Sequence, residues 1–200
     1  AAAHSNKASS AESAKQKSTD WRRCIQPKRK YEVEMCYTTG PDDFYVRTSE
    51  LHEQFDAITA EMNEYYKVDR HRKPASADMV GRSEVCAIQS WKTLDWRRIV
   101  CIQVLHDSSI FELIDSGERF ELQVEEMWRL KAIPKIGSMS SLLSIPPVCV
   151  HCRLVNQQKV PEHMWQYLCE NDLKMAFTIL VHHVGQVEGQ ATEVEIMGLG

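Results

Sequence analysis

The sequence predicts a mainly β fold with helices, an α+β arrangement in which a small barrel is inserted into a second domain split into two halves. Three observations predict it. Residues 81–124 break into four or five short alternating stretches joined by polar turns, the pattern of a small antiparallel barrel. One amphipathic helix precedes them, with Leu51, Phe55, Ile58, Met62 and Tyr65 on a single stripe. Strand, strand and helix stand before the barrel, and strand, helix and strands stand after it, with no internal repeat, so each flank is an incomplete half.

Along the chain, residues 1–20 are mostly Ala, Ser and Lys with almost nothing to bury, and read as a disordered lead-in. The first half of the split domain covers 21–77. Its KYEVEMCYTT segment alternates as a strand, Gly40-Pro41 marks a turn, and PDDFYVRT supplies a second strand. Thr48 or Ser49 caps the helix, and Glu50 suits a first turn whose N–H groups lack partners. Its apolar stripe is assigned to core. Pro74, in the polar segment KVDRHRKPASADM, has no N–H to donate and stops helical continuation.

Residues 78–134 form the inserted barrel. Trp96 and the run Ile99 to Val104 are expected to fill it. Leu113, Ile114, Phe120, Leu122 and Val124 continue the alternation, and a short helical turn carries Val124, Met127, Trp128 and Leu130. Residues 135–200 supply the second half: a Ser- and Gly-rich loop at 137–141, then an apolar strand from Val148 to Leu154. A helix follows with Pro161 in its first turn and Met164, Trp165 and Leu168 inward, and a hairpin turning near Gly189 ends the chain.

Two hundred residues, 43% hydrophobic and 26% charged, suffice for a packed core in the ordinary soluble range. A net charge of -4 argues against whole-surface attraction to nucleic acid. One basic cluster, Arg22, Arg23, Lys28, Arg29 and Lys30, stands near the N-terminus; it reads first as a solvated face and second as an RNA contact. Seven cysteines without a secretory signal read as reduced cytosolic thiols. Cys149 and Cys152 make a lone Cys-x-x-Cys, and a structural zinc site wants a second pair, so they read as buried strand cysteines and no metal or cofactor is expected. No apolar run approaches the roughly twenty residues that span a bilayer, so no membrane partner is expected.

The most specific signal runs from Gly81 to Glu118: GRSEVCAIQSWKTLDWRRIVCIQVLHDSSIFELIDSGE. It resembles the Tudor pattern Gly-x(4)-Cys-Ala, then an aromatic, then Trp-Tyr-Arg-Ala, then Phe-x-Asp-Tyr-Gly-Asn. Gly81, Cys86, Ala87, Trp96, Arg98, Asp115 and Gly117 match its framework. PDDFYVR resembles the family's Pro-x-x-Phe-Tyr-Val-Gln, and SIPPVCVHCRL its Leu-Pro-x-x-Ala-x-x-Cys-x-Leu. In order and spacing the chain resembles the extended Tudor domain of germline Tudor proteins from about residue 30 to 198. That resemblance implies a Tudor SH3-like barrel inserted into an OB-type, staphylococcal-nuclease-like domain. It further implies binding to the N-terminal arginine-rich tails of PIWI-clade Argonautes in cytoplasmic, perinuclear nuage, in piRNA biogenesis and transposon silencing.

The ring positions of the family's methylarginine pocket are not aromatic here. They are Ser90, Arg97, Leu113 and Ser116, and the closing Asn is Glu118. Dimethylarginine keeps its charge but loses hydrogen-bond donors, so its recognition depends on ring faces that these side chains lack. Arg97 would repel an arginine ligand unless it points away or is paired. Strand alternation turns Trp91 from the pocket, although a shift of its loop would bring the ring to the mouth. Glu118 offers an unmodified arginine a bidentate, charge-assisted partner, with Glu112, Asp115 and Glu121 deepening the negative potential; the plainer reading is solvated turn acids, with Asp115 bracing its own turn. Leu113 and its neighbours also make a greasy slot for an apolar side chain. Tyr45, Tyr65 and Tyr66 are candidates to line the adjoining cleft, with core packing the first reading.

The expected function is therefore a non-catalytic peptide-binding scaffold with a peptide site at Ser90, Trp91, Arg97, Leu113, Asp115, Ser116 and Glu118. Its partner is the arginine-containing tail of a PIWI-clade Argonaute, held without need of methylation. The alternatives are a structural or self-associating module with a degenerate pocket, and an RNA-binding surface through residues 22–30 with Trp21 as a stacking platform. A nuclease is disfavoured, because clustered acids for a metal together with arginines for the transition state are not found in either half.

Overall fold

A computed structural model describes residues 24–155, 160–170, 176–186 and 190–198, apart from the side chains of Met164, Cys169 and Glu170. The expected lead-in over 1–20, the basic residues Arg22 and Arg23 with Trp21, and the turn near Gly189 lie outside the described residues. The chain begins with β1 (Lys30–Gly40), β2 (Asp43–Thr48) and α1 (Ser49–Tyr66). A short α2 (Ala77–Gly81) leads into β3 (Cys86–Gln89), β4 (Trp96–Val104), β5 (Ser108–Leu113), β6 (Arg119–Gln123) and β7 (Lys131–Ala132). It ends with β8 (Val150–Leu154), α3 (Glu162–Glu170), β9 (Ala176–His183) and β10 (Thr192–Ile196).

The strands form two sheets. One closes on itself in the order β1-β2-β8-β10-β9, and the other runs β6-β5-β4-β3-β7. In the closed barrel β10 lies parallel to β8, and β1 seals the circle against β9 in antiparallel register from Lys30↔Leu180 to Glu34↔Ala176. This crossed return is the Greek-key closure of an OB-type barrel. The closed barrel thus draws strands from both flanks, with the second sheet between β2 and β8 in sequence. The split order expected from the sequence is the order the strands adopt.

Helix α1 joins the two units. Its cap is Thr48, whose Oγ1 accepts the Leu51 N–H at 3.4 Å. Leu51, Ile58, Met62 and Tyr66 are buried on it, and Phe55 and Tyr65 of the expected stripe are half-buried against the same core. The hydroxyl of Tyr66 donates to the Ala132 carbonyl at 2.9 Å, and its ring stacks on Trp96 at 4.4 Å. Trp96, expected inside the small barrel, packs outward instead, because α1 offers it a ring to stack on. The second sheet, which corresponds to the small barrel, packs over Cys86, Ile88, Ile99, Cys101, Phe111, Leu122 and Leu130. Ile102 and Val104, also expected inside, are exposed, since strand alternation around a bulge between Cys101 and Gln103 turns them out.

Two further differences concern short turns. The Ser- and Gly-rich stretch expected as a loop is a 3₁₀ helix over Ser138–Leu143, held by burial of Met139 and Leu142. The turn after β6 is also 3₁₀, Val124–Arg129, and leaves Val124 and Trp128 exposed while Met127 and Leu130 face the barrel core. Trp165 and Leu168 of α3 pack on the main core as expected.

Candidate functional site

The site is built on a buried guanidinium. Arg98 points from β4 into the junction of the two barrels and is 1% exposed. It donates to Asp115 through Nε at 2.9 Å and Nη2 at 2.6 Å, a fork that matches both carboxylate oxygens. The rest of the group donates to the carbonyls of Leu142 at 2.8 Å, Ile145 at 2.6 Å and Pro146 at 3.1 Å. One side chain therefore ties the small barrel to the segment that re-enters the split one. Arg47 works from the other side, with Nε donating to the Val148 carbonyl at 3.1 Å and Nη2 to the Asp115 carbonyl. Gly117, at φ +78, lies against Tyr45, where an added Cβ would stand 2.4 Å from the ring carbons. Arg119 donates to the Tyr45 hydroxyl at 3.1 Å and to Glu112 at 2.8 Å. Burial, with Glu112 beside it, pushes the Tyr45 phenol well above its ordinary range, so it stays neutral.

Between the units a cleft of about 430 Å³ opens. Its barrel side carries Ser90, Arg97, Leu113, Asp115, Ser116 and Glu118, and its far side Glu34, Arg47, His52, Phe55 and Thr59. Six of the seven site residues named from the sequence thus share one wall. Trp91 stands beside them. It is 72% exposed on the β3–β4 turn, with Lys92 Nζ 5.0 Å from its ring centre, and borders a smaller adjoining depression with Ile88, Phe120 and Arg129 that shares Ser90, Lys92, Leu113 and Glu118 with the cleft. Asp115 lines the cleft but is 4% exposed, with both carboxylate oxygens taken by Arg98 and one also by the Val148 N–H at 3.2 Å. It braces the fold, and a ligand reaches it only by breaking that fork. Glu118 pairs with Lys92 at 3.0 Å, so an incoming cation must displace a lysine.

Arg97 is the most committed of the wall residues. Its Nη1 donates to Thr59 Oγ1 at 2.6 Å and its Nη2 to Asp95 at 3.0 Å. Its guanidinium carbon stands 4.5 Å from the centre of the Phe55 ring, and that of Arg47 stands 3.8 Å from the same centre. Burial pushes Arg97 below its ordinary range, opposed chiefly by Asp95. The positive charge expected to repel an arginine ligand is therefore paired. Phe55 packs on the main core, as its spacing with Leu51, Ile58 and Met62 implies, and also borders the cleft, which the spacing does not reveal. Tyr45 and Tyr66 are buried and Tyr65 stacks on His71 at 4.2 Å; none of the three borders this cleft.

Cys149 and Cys152 are buried, and burial pushes both thiols up. Among the described residues no group of three or more His, Cys, Asp or Glu side chains is arranged to hold a metal ion. Lys28, Arg29 and Lys30 are exposed. Among the described residues no helix is long and apolar enough to cross a membrane.

The Tudor domain family model matches residues 25–156. The chain belongs to the Tudor domain family. No curated protein matches this Tudor chain. Solved structures do. The extended Tudor domain of human TDRD1, in complex with a symmetrically dimethylated peptide, superposes with a TM-score of 0.62 at 17% identity, covering 86% of this chain and 81% of that one. A single-substitution (Asp to Ala) variant of the extended Tudor domain of Drosophila melanogaster Papi, with an unmethylated Piwi N-terminal peptide, gives 0.65 at 15% identity over 84% and 88%, and the same variant is also solved with the dimethylated peptide. The complex of Tudor with dimethylated Aubergine gives 0.63 at 15% identity over 84% and 93%. At these identities the likeness shows a shared fold, that of extended Tudor domains.

Proposed function

We propose that this Tudor chain is a non-catalytic scaffold module that holds the N-terminal, arginine-containing tail of a PIWI-clade Argonaute without requiring arginine methylation. The observation that carries this reading is the cleft wall itself: Ser90, Leu113, Ser116 and Glu118 border about 430 Å³ of open space with no ring among them. A dimethylated guanidinium needs ring faces in place of the donors it has lost, whereas an unmodified one needs acceptors. Glu118 supplies an acceptor and Leu113 an apolar floor for the arginine stem. Papi, solved with an unmethylated Piwi peptide, supports the idea that this fold accommodates an unmodified tail. On the same ground of missing rings, we infer a resemblance to the first extended Tudor domain of Krimper, a fly germline Tudor protein, within a staphylococcal-nuclease-like surround. Residues 78–134 would then be the inserted barrel, and the setting cytoplasmic nuage, piRNA biogenesis and transposon silencing.

Calorimetry with the Piwi N-terminal peptide, unmethylated and symmetrically dimethylated, tests this. Equal or tighter binding of the unmethylated form is expected; a clear preference for the dimethylated form would refute it. Glu118→Gln should weaken the unmethylated complex about three- to tenfold by removing a charge-assisted acceptor. Lys92→Ala should strengthen it about two- to fivefold by freeing Glu118 from an exposed pair of modest worth. A second reading, self-association with an inert pocket, is favoured by the internal pairing of Glu118 with Lys92 and of Arg97 with Asp95. Concentration-dependent light scattering without peptide binding would establish it instead.

A further inference from the structure

Phe55, Thr59 and Asn63 recur at every fourth residue of α1 and share one helix face. That face receives β4 from across the cleft. Thr59 accepts from Arg97, and Asn63 Nδ2 donates at 2.9 Å to Asp95, which accepts from Arg97 in turn. Asn63 Oδ1 also takes the Trp96 N–H at 2.8 Å, which fixes where Arg97 leaves the strand. Among the described residues Phe55 is the one benzene ring bordering the cleft, and two guanidinium groups of the same chain lie against it. A ring attracts cations through its faces, and a face already in contact with a guanidinium is closed to another.

We propose that Arg97 is a specificity-determining residue: its guanidinium occupies Phe55 as a built-in ligand and so sets the preference of the cleft for unmodified over dimethylated arginine. This rests on the tail-binding function proposed above and deepens it. The two forms of arginine make different demands. The unmodified group engages carboxylate and carbonyl acceptors at the Glu118 end and has no need of a ring. The dimethylated group has fewer donors and depends on an open ring face. Only the second is excluded when Arg97 covers Phe55. Arg97 is also well held for such a role, since three anchors (Thr59, Asp95 and the ring) restrain a side chain that would otherwise sweep the cleft.

The test uses the Piwi N-terminal peptide in unmethylated and symmetrically dimethylated forms against wild type, Arg97→Ala, Arg97→Lys and the double variant Arg97→Ala/Phe55→Leu, reading the ratio of the two dissociation constants. Arg97→Ala should move the ratio toward the dimethylated peptide by about tenfold, the scale of one desolvated cation–ring contact. Arg97→Lys keeps a cation near the ring and should move it by less than about threefold, and the double variant should lose the gain. If Arg97→Ala does not fold, Arg97→Gln, which retains a donor for Thr59 without the charge, carries the same expectation. An unchanged ratio in Arg97→Ala, with wild type still binding the unmethylated peptide, overturns the role of Arg97 and leaves the proposed function standing. A wild type that prefers the dimethylated peptide overturns both. A wild type that binds neither peptide overturns the proposed function alone if Arg97→Ala gains the dimethylated peptide, and both if it does not.

Discussion

Replacing Arg98 by lysine tests whether one buried guanidinium fastens the two barrels together. The wild-type group makes five donations, two to Asp115 and one each to the carbonyls of Leu142, Ile145 and Pro146. A lysine ammonium has three donors at a single point and cannot reproduce the fork. At least two of the five acceptors are left without this partner, at a junction where Arg98 is 1% exposed. Hydrogen bonds to charged groups contribute about 1.5–3 kcal/mol each, and breaking a buried ion pair costs about 3–5 kcal/mol. Arg98→Lys is therefore expected to destabilise the fold by about 3–5 kcal/mol, a large part of the roughly 5–15 kcal/mol that holds a typical domain. Urea unfolding followed by tryptophan fluorescence measures it, because Trp96 sits at this junction. A loss under about 1 kcal/mol would refute the clamp and return Arg98 to the status of an ordinary buried charge.

Gly117→Ala forces a side chain into the left-handed region and into the Tyr45 ring. The backbone strain is about 1–2 kcal/mol and the overpacking about 1–3 kcal/mol, so a lower thermal midpoint with weaker peptide binding is expected, and a wild-type midpoint would show that Tyr45 does not pack there. Asp95 concerns pH. Burial works to raise its carboxyl, but hydrogen bonds from Asn63 and Thr93, with the Arg97 guanidinium, outweigh it and hold it below the ordinary 3.8. A depressed carboxylate contributes stability that is complete above the unfolded value and is lost as pH falls through the folded one. Acidification below 3.8 should therefore weaken wild type more than Asp95→Asn, and parallel unfolding curves for the two proteins across that range would sink the assignment.

Much of the fold was legible because it depends on local chemistry. Thr48 before an apolar stripe announces α1, and alternation with turn signals announces most of the strands. The misplaced residues are those whose environment comes from far along the chain. Trp96 looks like barrel filling until Tyr66, thirty residues earlier, offers a ring to stack on. Ile102 and Val104 look buried until a bulge sets the face they occupy. Ser138–Leu143 looks like a polar loop, yet two apolar side chains in it suffice to anchor a 3₁₀ turn. In the site, six wall residues could be named from a motif, but the pairing of Lys92 with Glu118 and the contact of Arg97 with Phe55 could not. Periodicity assigns Phe55 a helix face without saying what lies opposite, and here the opposite surface is a cleft.

The contrast between an intact framework and absent rings has a physical explanation in how the motif divides its work. Trp96 stacks on α1, Arg98 and Asp115 close the fork, and Gly117 admits Tyr45; each has a structural task whose loss costs stability. Ser90, Leu113, Ser116 and Glu118 border open space, and the polar contacts of Ser90, Ser116 and Glu118 stay at the cleft rim, while Leu113 also packs on the small core. Substitution of the three polar residues leaves the core untouched, so the chemistry of the cleft wall is free to change while the fold is held. Arg97 belongs to both groups, since it is anchored to α1 and faces the cleft. On the role proposed for it above, Arg97 sets what binds without loosening what holds, because its own charge is met from within by Asp95 and Thr59.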